Sequence, residues 1–290
     1  MHVRTFSIVA YDPLDQAYGI AVASKFLAVG AVVPWARAGI GAVATQARAR
    51  VPLGSQGLAL MAQGKSAQET LDLLLADDPL REQRQAGMVD SQGRAAAHTG
   101  KDCMDWAGHH IGEGFTCQGN ILAGAQVVEA MADAYKSTKG ELVNRLLAAL
   151  IAGEDAGGDR RGKQSAAILI VKPNAGYGGD NDRYLDLRVD DDPTPIARMK
   201  HLISLHQLYF GEPRPEDQVP IDETLARELQ SIMLDTGYSI EQPSGVWDDA
   251  SRQSFDALIS TENLEGRWPG SDPNVMDRVA LEYLRDKFGK

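Results

Sequence analysis

The chain is poor in cysteine, in aromatic side chains and in positive charge, and each shortage excludes something. Two cysteines in 290 residues, Cys103 and Cys117, cannot build a disulfide framework, so the fold must rest on its core, and a reducing cytoplasm is the expected location. No apolar run approaches the length of a membrane span. The opening Met1-His2-Val3-Arg4 lacks the apolar stretch of a secretory signal. Aromatic residues make up only 6%, and Trp35, Trp106, Trp247 and Trp268 are too scattered to form a stacking stripe, so they read as core or interface anchors. Lys and Arg number 29 against 40 Asp and Glu, a formal net charge of −11. That balance argues against nucleic acid and against anionic membranes, both of which need clustered positive charge. No cofactor and no metal are expected, and a homo-oligomer, a dimer, is.

What is present is an ordinary globular composition, 43% hydrophobic and 24% charged. The length suggests one large domain or two ordinary ones. Charge divides them. Residues 212–290 hold 17 acidic against 8 basic side chains, a balance of −9, and residues 1–211 hold 23 against 21, a balance of −2. The border falls at Gly211-Glu212-Pro213-Arg214-Pro215, giving domains 1–211 and 212–290.

Patterning predicts short apolar strands at Thr5–Ala10, Tyr18–Ser24, Ala31–Ala36 and Gly41–Thr45, the first two joined as a hairpin around Asp12-Pro13-Leu14-Asp15. Helical spacing follows at Gly54–Met61 and at Ala67–Ala76, the latter capped by Ser66. Strands return at Arg84–Ser91 and Arg94–Thr99. A short glycine-rich stretch runs from His109 to Cys117, and helices are expected at Ala125–Tyr135 and Glu141–Ala152. Ser165–Val171 and Leu185–Val189 close the first domain as strands. Strands, helices, then strands again predict an α+β fold with mainly antiparallel sheets. The tail reads as a small bundle of three helices, Ile221–Leu234, Ala250–Ile259 and Met276–Phe288.

Thr5 is the residue with the most chemistry at stake. If the four residues before it were removed, it would carry a hydroxyl nucleophile and a free α-amine as its base, the amine having a pKa of about 8. The alternative is a β-branched residue that simply starts a strand. Other clusters are weaker. Cys103, His109, His110 and Cys117 lie within fifteen residues but lack a standard zinc spacing. Gly176-Tyr177-Gly178-Gly179 lacks the Lys-Ser/Thr and helix of a phosphate loop. Asp190-Asp191-Asp192 reads as a solvated turn before Pro193 rather than a cation site.

Several stretches in order resemble a bacterial family, DUF1028: T-F-S-I-V-A from Thr5, G-I-A-V-A-S-K-F from Gly19, V-P-W-A-R-A-G-I-G-A-V-A-T-Q-A from Val33, C-Q-G-N-I-L-A-G from Cys117, A-G-G-D-R-R-G-K-Q-S-A-A from Ala156 and D-L-R-V-D-D-D-P from Asp186. The tail, through S-G-V-W-D-D-A-S-R-Q-S-F-D-A-L from Ser244, is similar to a peptidoglycan-binding-like module. The resemblance implies a four-layer αββα sandwich of the N-terminal nucleophile hydrolases, with a small helical domain appended. It implies an amidohydrolase acting on a small linear amide or ureido compound through Thr5, or alternatively a non-catalytic binding or scaffold protein on the same fold. By the same resemblance Lys25 tunes the Thr5 amine, or is merely a solvated strand end. Gln46 supplies the oxyanion donor. Asn120 is a second polar site group or a plain N-cap. Asp159 orients the amine or hydroxyl of Thr5. Arg161, Gln164 and Ser165 form the substrate-binding group, with Arg161 clamping a carboxylate. The bland reading of Asp159 and Arg161 is a local ion pair on a surface loop.

Overall fold

Strand β1 (Thr5–Asp12) sets the architecture because both of its faces are buried. Side chains alternate along a strand, so Thr5, Ser7 and Val9 point one way and Phe6, Ile8 and Ala10 the other. The computed structural model describes residues 5–268 and 272–289, and the chain divides between Leu202 and Ile203 into two units. In the first, β1 is followed by β2 (Ala17–Ser24), β3 (Pro34–Arg37), β4 (Gly41–Ala47), α1 (Pro52–Met61), α2 (Ala67–Ala76), β5 (Arg84–Asp90), β6 (Ala95–Thr99), β7 (Gly108–Gly112) and β8 (Phe115–Gly119). Then come α3 (Gln126–Ser137), α4 (Leu142–Asp155), β9 (Ser165–Val171) and β10 (Arg183–Val189).

Six strands form one sheet in the order β10-β9-β2-β1-β8-β7, and four form a second in the order β3-β4-β5-β6. Every pairing in both is antiparallel. Val9, Ile20 and Val22 of the first sheet pack against Ala42, Ala44 and Val89 of the second. The other face of the second sheet, with Val43 and Met88, meets Leu53, Met61 and Leu71 of α1 and α2. On the other face of the first sheet, α4 approaches β2 so closely that a Cβ on Gly19 would lie 2.5 Å from Leu146 Cδ1. Glycine is what allows that approach.

Ser66 caps α2 as expected, in a reciprocal box in which its Oγ accepts from Glu69 N–H and its own N–H donates to Glu69 Oε2 at 2.8 Å. Two local expectations are revised and one helix is added to them. The stretch around His109–Cys117 is a hairpin, β7 to β8, turning at Gly114 with φ +74°. Asn120 is not an N-cap, because α3 opens at Gln126 with Ala125 at the cap position. A sixteen-residue helix, α5 (Pro195–Phe210), follows the acidic turn, in which Asp192 Oδ1 accepts from Thr194 N–H at 2.6 Å.

Buried Asp78 ties the end of α2 to β5, accepting from Arg84 Nε at 3.0 Å and from Leu80 N–H at 2.9 Å. Burial alone would raise its carboxyl. The Arg84 and Leu80 hydrogen bonds outweigh that and hold it below the ordinary carboxylate range. Its stabilising contribution is therefore complete above the unfolded value of about 3.9 and is lost as pH falls through the lower folded value. Asp78→Asn should have a lower urea midpoint than wild type at pH 7, with the gap closing below about pH 4. A gap that persists unchanged at pH 2.5 would remove the ion pair as its cause.

The second unit continues with β11 (Gln218–Pro220), α6 (Glu223–Asp235), α7 (Asp249–Thr261), β12 (Val275–Asp277) and α8 (Arg278–Phe288). Asp222, Asp248 and Asp277 each accept a first-turn N–H and cap the three helices. Leu229, Met233, Phe255, Leu258, Leu281 and Leu284 meet around Trp268. The ring of Phe255 lies edge-on to that of Trp268, with centroids 4.9 Å apart. The antiparallel pair β11–β12 is an addition to the three helices expected. Among the described residues no helix is long and apolar enough to cross a membrane.

Candidate functional site

Thr5 is the first residue of β1, opposite Ser24 of β2. It is completely buried, and its hydroxyl has no hydrogen-bond partner among the described residues. Such orphans are rare in folded proteins and call for an explanation. Its carbonyl accepts from Asn120 N–H at 3.0 Å and, at the long distance of 3.5 Å, from Gln46 Nε2. Residues Met1–Arg4, on whose removal a free amine depends, lie outside the described residues.

Around Thr5 the two sheets are joined by amides rather than by hydrocarbon. Gln46 Oε1 accepts from Ser7 Oγ at 2.7 Å, and its Nε2 donates to Gln85 Oε1 at 2.9 Å and to Gln118 O at 3.3 Å. Asn120 Nδ2 donates to Gln85 Oε1 at 3.0 Å. Gln118 Nε2 donates to Ser7 Oγ at 2.7 Å. Gln46, Gln85 and Gln118 are almost wholly buried. Room for Gln118 comes from Gly87, where a Cβ would lie 2.2 Å from Gln118 Oε1. Thr5, Gln46 and Asn120, named from the sequence, are thus brought together. Ser7, Gln85 and Gln118 were missed, although a polar side chain in an otherwise buried strand was the signal available.

The remaining expected residues form a neighbouring group. Asp159 pairs with the loop after β8 through a bridge to Leu122. Its Oδ2 accepts from the Lys25 main-chain N–H at 3.0 Å and from Arg161 Nη2 at 2.6 Å, and its Oδ1 accepts from Arg161 N and Nε at 3.0 Å. The guanidinium fork of Arg161 therefore faces Asp159, so clamping a substrate carboxylate there would require opening that pair. Lys25 is exposed, and its Nζ donates to Lys163 O at 3.3 Å. Gln164 Nε2 donates to Asp191 Oδ1 at 3.0 Å. Ser165 Oγ donates to Phe26 O and accepts from Val29 N–H at 3.2 Å, fastening the loop after β2. A cavity of about 220 Å³ adjoins this group, lined by Phe6, Ser24, Glu154, Asp159, Arg160 and Lys163 among others. Thr5 is not among its lining residues.

The cysteines and histidines do not converge. His109 Nδ1 lies 2.9 Å from Thr99 Oγ1, whereas His110 stacks on Phe115, as neighbours on one strand must point to opposite faces. Burial pushes the Cys103 thiol up to about 11 and raises that of Cys117 as well. Neither is a thiolate nucleophile near neutral pH.

Facing antiparallel sheets, a buried threonine at the head of a central strand and a separate small helical unit define a two-part α+β protein. The model described as "Family of unknown function (DUF1028)" matches residues 5–199, and the chain belongs to that family. Residues 209–284 match a second model, described as "Putative peptidoglycan binding domain". The crystal structure of protein SPO2555 from Silicibacter pomeroyi, a DUF1028 protein, is similar at 32% identity and a TM-score of 0.65, covering 70% of this chain and 86% of that one. Two Anbu structures are more distant. The Gly-1 mutant from Hyphomicrobium sp. strain MC1 gives 9% identity, a TM-score of 0.32 and coverage of 69% and 93%. Anbu from Yersinia bercovieri, an ancestral beta-subunit, gives 10%, 0.30, and coverage of 69% and 96%. No curated protein matches the chain.

Proposed function

We propose that the chain is an amidohydrolase of the N-terminal nucleophile type, built as a four-layer αββα sandwich, that uses Thr5 on a small linear amide or ureido compound. The observation that carries this reading is the buried hydroxyl of Thr5, which has no hydrogen-bond partner among the described residues. A hydroxyl kept without a partner at the start of a strand is costly in stability and useful in chemistry. The reading requires hydrolysis of the Arg4–Thr5 bond. The freed amine then takes the Thr5 hydroxyl proton as Oγ attacks the substrate carbonyl. A main-chain N–H near Gln46 holds the oxyanion. Collapse breaks the C–N bond, the departing amine takes the proton from the Thr5 ammonium, and water hydrolyses the resulting ester. Asp159 shapes the approach by fastening Lys25 and Arg161 beside Ser24. Residues 1–211 carry the chemistry. Residues 212–290 serve as an acidic interaction module in a cytoplasmic homodimer.

The test is the N-terminus of mature protein from its native cells, combined with a panel of small amides and ureido acids. The expected result is a chain beginning at Thr5 that releases amine or ammonia from at least one of them. One observation favours the non-catalytic alternative: the described Thr5 is wholly enclosed. Native protein that retains Met1–Arg4 and binds a panel member without hydrolysing it would establish that alternative.

A further inference from the structure

Gln85, on β5, makes five side-chain polar contacts among the described residues near Thr5. Its Nε2, with two hydrogens to give, lies 2.8 Å from Gly119 O, 2.9 Å from Thr99 Oγ1 and 3.1 Å from Gly108 O. Its Oε1 accepts from both Gln46 Nε2 and Asn120 Nδ2. Two of the three acceptors are main-chain carbonyls, which can never donate, so the Gln85 amide has one orientation. The orientation of its neighbours follows. With Nε2 committed to Gln85, Gln46 must present Oε1 to Ser7, whose O–H is thereby spent. The Ser7 oxygen then accepts from Gln118 Nε2, and Gln118 Oε1 accepts from Thr116 Oγ1 at 2.8 Å. Reversing Gln85 would set N–H against N–H at both Gln46 and Asn120.

We infer that Gln85 is a positioning residue for Thr5: it fixes the amide face of Gln46, whose Nε2 reaches the Thr5 carbonyl, and anchors the side chain of Asn120, whose main-chain N–H holds that carbonyl, and through them it sets the place of the Thr5 hydroxyl. This rests on the reading of Thr5 as the nucleophile. The effect is geometric, since a displacement of about 1 Å at a reacting group costs on the order of 10²-fold in rate.

The experiment uses a small aliphatic β-lactone as the probe of the processed protein, and therefore needs no known substrate. Thr5 Oγ attacks the lactone carbonyl, the ring C–O bond breaks, and the released alkoxide takes up the hydroxyl proton, so the adduct mass equals that of the lactone. Wild type, Thr5→Ala, Gln85→Met and Gln85→Glu are compared by intact mass, and the side-chain amide protons of Gln46 and Asn120 are followed by NMR exchange. Wild type should label at Thr5, and Thr5→Ala should not. Gln85→Met should label roughly 10- to 100-fold more slowly at saturation, with the half-saturating concentration within about threefold. Its Gln46 and Asn120 amide protons should exchange faster while its far-UV CD is unchanged. Gln85→Glu should approach wild type at low pH, where the introduced carboxyl is protonated and donates to Gly119 O, and should lose that rescue as pH rises. Wild-type labelling by Gln85→Met, or unchanged amide protection, overturns the positioning role while leaving Thr5 as nucleophile. Absence of labelling in wild type overturns the nucleophile, and amide exchange still decides whether Gln85 orients its neighbours. If Gln85→Met does not fold, the pH profile of Gln85→Glu decides alone.

Discussion

Replacing Thr5 by alanine should lower hydrolysis of any substrate of the protein by at least about 10³-fold, because the proposed mechanism joins nucleophile and proton acceptor in this one residue. Thr5→Ser keeps both groups and should retain measurable turnover. The same position offers a check that needs no substrate. Among the described residues the hydroxyl is buried and has no hydrogen-bond partner, a state that costs about 1–3 kcal/mol in desolvation. Thr5→Val keeps the shape and removes the orphan, so it should raise the melting temperature while abolishing turnover. Opposite movement of stability and activity marks a residue held for chemistry. Full turnover in Thr5→Ala would move the nucleophile elsewhere.

Asp277→Ala should destabilise the second unit by about 3–5 kcal/mol, a large share of the roughly 5–15 kcal/mol that holds a typical domain together. Asp277 is completely buried, and its Oδ1 lies 3.2 Å from Arg267 Nη1, which is itself nearly buried. The same oxygen accepts from Val279 and Ala280 N–H and caps α8. The arginine is further held by the Leu208 carbonyl at 2.9 Å and by the Gln207 carbonyl. Deleting the carboxylate thus uncaps a helix and strands a guanidinium in the same step. Arg267→Met combined with Asp277→Asn should recover part of the loss, since removing both charges costs less than orphaning one. Hydrogen exchange in peptides covering α8 reads the effect directly. Wild-type protection of those amides in Asp277→Ala would show that the pair contributes little.

Much of the backbone pattern was legible because it depends on local periodicity. Ser165–Val171 coincides with β9 and Ala67–Ala76 with α2, each marked by an unbroken apolar run or a cap. The β7–β8 hairpin was obscured because Gly108, Gly112 and Gly114 dilute the strand signal. Helix α5 was hidden behind three aspartates and two prolines that read as a loop. For the site, sequence gave candidates but not their neighbours. Ser7 and Gln118 lie 111 residues apart, and Gln46 and Gln85 lie 39 apart. No spacing rule joins them, since only the facing of two sheets does. The pair Asp159 and Arg161, two residues apart, was visible because it is local, and that proximity is also why each side chain now faces the other.

The amide chain between the sheets also constrains how they can move. Alanine and valine surfaces such as those around Val9 and Ala44 tolerate slippage, because dispersion forces have no preferred direction. Hydrogen bonds do, and sliding one layer by a single residue would break the contacts of Gln46, Gln85 and Gln118 together. These side chains act as dowels that set the shear between the layers. The innermost polar residues, which contribute least to cohesion, thereby determine which of several comparably greasy stackings the chain adopts.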